Sequence, residues 1–81
     1  MNLHLNIVSP EKQIFDGDVD SVTLPATLGR FTILPHHAPI VSSLSRGKII
    51  FLTGNEEQSV EIEGGVVDMS ENRVDVCVEM V

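Results

Sequence analysis

The sequence predicts an all-β domain: a small antiparallel β-sandwich, or flattened barrel, of about eight to ten short strands with two sheets packed face to face. Three observations predict it. Valine, isoleucine and leucine carry the apolar content, because the aromatic set is only Phe15, Phe31 and Phe51, and β-branched residues suit a pleated, half-buried surface. Turn signals interrupt short alternating segments at short intervals. No window repeats apolar residues at helical spacing over three turns. At 81 residues there is room for one core, so residues 1–81 are expected to form one domain.

The elements follow in order. Leu3, Leu5 and Ile7 alternate with His4 and Asn6 as a half-buried strand that ends at Ser9-Pro10. Ser9 to Lys12 reads as a turn rather than a helix start, because Asp16-Gly17, itself read as a turn, comes too soon for a useful helix. Val22 and Leu24 alternate with Ser21 and Thr23 up to Pro25. Ala26 to Pro39 reads as an unusually apolar loop, holding Leu28, Phe31, Ile33 and Leu34 among glycines and prolines. Ile40, Val41 and Leu44 make a short strand before the turn Ser45-Arg46-Gly47. Lys48 to Thr53 is apolar on both faces, which predicts cover on both sides. Gly54-Asn55-Glu56 is a hairpin turn, Gly64-Gly65 a bend or bulge, and Ser70-Glu71-Asn72 a further turn. Val74, Val76 and Val78 form the last strand. The expected core includes Leu5, Ile7, Val60, Ile62, Val74 and Val76.

Charge narrows the function classes. Twelve acidic residues against five basic ones give a net charge of −7, which speaks against nucleic acid and against an anionic membrane surface. A single cysteine, Cys77, allows no internal disulfide, and no basic, apolar leader opens the chain. Both point to the cytoplasm. Asp16-Gly17-Asp18-Val19-Asp20 lacks the glycine and distal glutamate of a calcium loop. His36-His37 supplies two adjacent imidazoles that point to opposite faces of an extended chain, so no metal site is expected. Ser42-Ser43 lacks a nucleophile elbow, and Arg46-Gly47-Lys48 lacks the glycine spacing of a phosphate loop. No catalytic residue, cofactor or small-molecule substrate is expected. The chain reads as one that acts by binding other proteins.

Taken together, Leu5-Asn6-Ile7-Val8-Ser9-Pro10-Glu11, Ile14-Phe15-Asp16-Gly17-Asp18-Val19 and Phe31-Thr32-Ile33-Leu34-Pro35-His36-His37-Ala38-Pro39-Ile40 form an ordered series. It continues with Leu44 through Ile49, Ile62-Glu63-Gly64-Gly65-Val66-Val67 and Asn72-Arg73-Val74-Asp75-Val76. In this order they resemble the N-terminal β-sandwich of the epsilon subunit of F-type ATP synthase, called delta in mitochondria, over essentially the whole chain. Thr32 stands where that family usually has glycine, and His36 where glycine or a small residue is common; glycine there often serves a positive φ.

The resemblance implies a non-catalytic subunit at the foot of the central stalk, on the cytoplasmic face of the inner (plasma) membrane. It implies docking on the gamma subunit and on the c-ring, with no direct membrane insertion, and a role in coupling ion translocation to ATP synthesis. It places Ser9, His37 and Ser42 against gamma, and Thr27, Leu28, Gly29, Arg30 and Phe31 against the c-ring. Arg30 replaces a residue often acidic in relatives. Family members commonly continue into a C-terminal helical hairpin that carries inhibition and, in some bacteria, ATP binding. The pattern here ends at Val81 with no such hairpin, so the expectation is coupling without either. The alternative is a biotinyl- or lipoyl-type carrier domain, which needs a modified lysine at a hairpin tip; Lys12 and Lys48 are the only lysines. A sugar-binding sandwich would want exposed aromatics, and the chain has no Trp or Tyr.

Overall fold

The computed structural model describes residues 2–81. Eight strands follow one another: β1 (Leu3–Val8), β2 (Gln13–Val19), β3 (Ser21–Ala26), β4 (Gly29–Ile33), β5 (Ile40–Leu44), β6 (Gly47–Thr53), β7 (Glu56–Ser70) and β8 (Arg73–Met80). They hydrogen-bond in the order β2-β1-β8-β7-β5-β3-β4, and β6 joins β3 to β7. The ladder folds over on itself. The first half of β7 pairs with β6, and its second half lies between β5 and β8. One layer is therefore β2-β1-β8-β7-β5, and the other is β4-β3-β6 with the start of β7. The Phe15 ring on β2 meets the Phe51 ring on β6 across the gap, centroids 4.5 Å apart.

Alternation decides what fills the space between the layers. Leu3, Leu5 and Ile7 on β1, Val74, Val76 and Val78 on β8, and Ile62, Val67 and Met69 on β7 point inward and are buried. Val22, Leu24, Ile33, Leu44, Ile49 and Phe51 close the core from the other strands, and no polar side chain is buried with them. Val60, expected in the core, is only half-buried, because it stands where the β6–β7 hairpin runs out beyond the main layers.

The changeover in β7 occurs at Gly64-Gly65, where the register with β8 slips between Ile62 and Gly64. A Cβ on Gly65 would stand 2.2 Å from the Cys77 carbonyl oxygen, so the strands can approach this closely only without a side chain. Both tight turns use the backbone that the hairpin twist demands. Gly54 has φ 63° between the paired Thr53 and Glu56, and Glu71 and Asn72 have φ 50° and 61° between Ser70 and Arg73.

Three further sequence expectations need correction. Asp16-Gly17 is not a turn but lies inside β2, with Phe15, Gly17 and Val19 opposite Ile7, Leu5 and Leu3; the chain bends only at Asp20, where it passes to β3 in the other layer. The apolar loop from Ala26 to Pro39 contains β4, which pairs with β3 from Val22↔Ile33 to Ala26↔Gly29. Phe31 and Ile33 lie in that strand and pack against or within the core, whereas Leu28 is exposed in the turn Thr27-Leu28 and Leu34–Pro39 remains a loop. β6 is not among them: the sequence leads one to expect cover by the core on one face and by something else on the other, and Ile49 and Phe51 are buried in the core while Leu52 on the other face is 38% exposed. Finally, β1 and β8 run parallel, from His4↔Arg73 to Val8↔Cys77, a departure from an otherwise antiparallel sandwich.

Candidate functional site

Two separate apolar surfaces remain open on the sandwich. The first lies on the outside of the β5-β7-β8-β1 layer. Cross-strand register sets Ser43, Val66, Cys77 and Val8 in one row. Because side chains alternate, this row faces away from the buried row of Val67, Val76 and Ile7 next to it. Val66 is 51% exposed, and Val41, two residues along β5 from Ser43, is 75% exposed. The row runs into an apolar groove of about 350 Å³ walled by Val8, Pro10, Cys77 and Val78, with Ser9 and Glu79 at its edge.

The three residues expected to touch gamma are distributed over this layer rather than gathered. Ser9 sits at the groove, where its backbone N–H donates to the Lys12 carbonyl at 2.8 Å and its hydroxyl accepts from the Lys12 N–H at 3.3 Å. Ser42 belongs to the inner row beside Val67 and is half-buried, its hydroxyl donating to the Ser43 carbonyl at 3.0 Å. Its outward neighbours Val41 and Ser43, not Ser42, present the surface. His37 is exposed on the loop before β5, its Nδ1 2.7 Å from the Ala38 carbonyl oxygen. That loop is tied to the β7–β8 turn by the His36 N–H, which donates to Asn72 Oδ1 at 2.6 Å. Asn72 immediately precedes β8 and Cys77, level with Val8, lies well along it, so the His36–Asn72 tie and the Val8 end of the row are roughly 16 Å apart along the strand direction. Val66, Val41, Val8 and Cys77 were not singled out from sequence. An outward valine has the same composition as an inward one, and only register tells them apart.

The second surface is the tip of the β3–β4 hairpin. The turn Thr27-Leu28 brings Thr27, Leu28, Gly29, Arg30 and Phe31 together, as expected of the residues placed against the c-ring. Leu28 is 99% exposed. Thr27 holds the tip to β5, its N–H 3.1 Å from the Ser43 carbonyl oxygen and its Oγ1 2.8 Å from Ser43 Oγ. Arg30 is exposed and donates from Nη2 to the Lys48 carbonyl at 2.9 Å, so its charge meets a neutral acceptor. Phe31 differs from the other four: it is half-buried and packs against the core. Lys48 lies within β6 opposite Glu61, not at a hairpin tip.

The comparisons bear on family and fold. Residues 2–81 match the model of the ATP synthase delta/epsilon chain β-sandwich domain. Among curated relatives, the ATP synthase epsilon chain of Leptospira borgpetersenii is 35% identical over 77 residues, which cover 95% of this chain and 61% of the relative. That of Rhodopseudomonas palustris is 36% identical, with 95% and 57% covered. The chain thus spans roughly three fifths of the length of these relatives. Among solved structures, the Euglena gracilis mitochondrial ATP synthase (OSCP/F1/c-ring) contains a chain with a TM-score of 0.90 at 20% identity, over 95% of this chain and 50% of that one. A chain of the Tetrahymena thermophila mitochondrial ATP synthase central stalk and c-ring gives 0.82 at 15% identity, over 98% and 64%. These two share the fold; the family follows from the sequence match. The chain belongs to the ATP synthase delta/epsilon chain family, and residues 2–81 match its β-sandwich domain.

Proposed function

We propose that residues 1–81 act as one domain of a non-catalytic central-stalk subunit of an F-type ATP synthase, docking on gamma through one surface and on the c-ring through another. In this reading the subunit is peripheral to the membrane, on its cytoplasmic face, and helps couple ion translocation to ATP synthesis. The observation that carries it is the pair of open apolar surfaces on one rigid sandwich: the Val41–Val66–Cys77–Val8 side and the Leu28 tip. Exposed apolar side chains grouped as on the first surface are the mark of a partner surface, and the tip presents one, Leu28, almost wholly to solvent. Ser9 and His37 flank the first surface and are proposed to contact gamma at its edges, with Ser42 supporting Val41 and Ser43 from below. Thr27 to Arg30 are proposed to face the c-ring, and Phe31 to brace the tip from behind. Among the described residues no helix is long and apolar enough to cross a membrane.

The test uses the chain with purified cognate gamma and c-ring, bound separately. Val66→Glu buries an unpaired charge in the first surface and is expected to weaken gamma binding about tenfold or more, leaving the c-ring contact alone. Leu28→Glu is expected to do the reverse. Wild-type binding to both partners by both variants would remove these surfaces from the interface.

A further inference from the structure

His4 stands on β1 directly across from Asp18 on β2, with Asp16 on the adjoining diagonal. Its Nδ1 is 3.1 Å from Asp18 Oδ1 and its Nε2 is 2.5 Å from Asp16 Oδ1. Ionised carboxylates only accept hydrogen bonds, and a neutral imidazole has a single N–H to give. Only the imidazolium satisfies both contacts. Its other neighbours do not compete for this place. Arg73, opposite His4 on β8, turns its Nε to Asp75 at 3.1 Å. Asp75 in turn lies level with Asn6 and Asp68 rather than with His4. The His4 N–H donates to the Asn72 carbonyl at 2.8 Å and fixes the backbone.

The strand that His4 holds is the outermost of its layer, paired only with β1 at this edge. Its inner face is anchored by Phe15 and Val19, but Gly17 between them has no side chain to contribute. On the outer face its ties to β1 are the His4 contacts and the Gln13–Asn6 hydrogen bond of 2.9 Å. We propose that His4 is a proton-operated clip for the β2 edge: as imidazolium it binds Asp16 and Asp18 together, and losing a proton releases one of them and loosens the strand from Asp16 to Val19. The hydrogen bond with Asp18 and then that with Asp16 raise the His4 pKa above the ordinary imidazole value. The sign follows from that rise. The clip is fully closed below about pH 6.5, the unfolded value, and opens as pH climbs through the higher folded value. The site is exposed, so the effect is modest and salt weakens it.

Two measurements on the whole chain test the clip. The first is the His4 titration midpoint by NMR, in the wild type and in Asp16→Asn/Asp18→Asn, which keeps side-chain shape. The second is hydrogen-exchange protection of the residue 16–19 amides from about pH 5.5 to about 8.5, corrected for intrinsic exchange. The expected result is a midpoint lowered in the double variant, and wild-type protection that falls roughly two- to fivefold with rising pH, the scale of exposed ion pairs. In His4→Gln protection is expected to be flat across that range. A midpoint unmoved by the double variant overturns the proposal, and so does protection that is flat in the wild type or falls equally in His4→Gln.

Discussion

The two proposed docking surfaces are built by different means. The Val66 side is carried by β5, β7, β8 and β1, each of which has a neighbour on both sides, so cross-strand register fixes its row of side chains and the core fixes the row beneath. The Leu28 tip is a two-residue turn beyond the end of a ladder. It is held by Thr27 against Ser43, by Arg30 on the Lys48 carbonyl and by Phe31 from below. A surface fixed by register keeps its shape whether or not a partner is present, whereas a turn with few tertiary bonds can adjust to the partner it meets. Within the proposed function, the first suits a partner held permanently and the second suits a contact that must fit a ring of repeated subunits. Ser43 stands in the first row and also anchors the second tip, so the two surfaces share one joint.

Breaking the register should have the largest effect. Gly65→Ala sets a methyl group against the Cys77 carbonyl oxygen, where a Cβ would be 2.2 Å away, and β7 and β8 must separate. The expected loss is about 3 kcal/mol or more in denaturant unfolding, with the Val66 row displaced and gamma binding lost as well. A near-neutral Gly65→Ala would mean that register does not hold this surface.

The hairpin tip offers a sharper contrast. Phe31→Asp puts a carboxylate where a half-buried ring packs on the core, and is expected to cost about 2–3 kcal/mol, or roughly 10–20 °C of Tm in a domain of this size. Leu28→Asp changes a side chain that is 99% exposed and should stay within about 0.5 kcal/mol. Equal melts for the two variants would show that Phe31 belongs to the surface and not to the scaffold behind it.

The smallest expected change is a gain. His36 holds φ 69°, in the left-handed region that costs a side-chain-bearing residue roughly 1–2 kcal/mol. His36→Gly removes that cost but adds the unfolded-state entropy of glycine, about 0.5–1 kcal/mol, so a net stabilisation of about 0.5–1 kcal/mol is expected from thermal melts. A loss instead would assign the imidazole a contact of its own.

Strands with strict alternation were legible in the sequence. β1 and β8 read directly, as did the Gly54 and Asn72 turns and the Gly64-Gly65 slip, because each follows from local chemistry. β2 was hidden by two aspartates and a glycine, which have turn character in isolation; pairing with β1 and the Phe15–Phe51 contact overrule that preference. β4 was hidden in the same way by Gly29 and the nearby prolines. The parallel union of β1 with β8 joins segments from opposite ends of the chain, and no local pattern encodes it. At the proposed docking surfaces, Thr27 to Phe31 were suggested by the family resemblance alone. The Val41 and Val66 side could not, because facing depends on which neighbour each strand finds. Thr32, in a regular strand, needs no glycine, whereas His36 retains the backbone that a glycine would adopt.

The parallel pairing of β1 and β8 has a mechanical consequence. Tension that draws the start of β1 and the far end of β8 apart acts along the strands, in opposite directions on the two sides of their shared ladder. Every hydrogen bond from the His4–Arg73 pair to the Val8–Cys77 pair is then loaded together. An antiparallel hairpin pulled at its open end would instead unzip, its bonds breaking in succession. The sandwich is thus joined at its middle in the geometry that best resists shear, a fitting property for a body proposed to turn between two others.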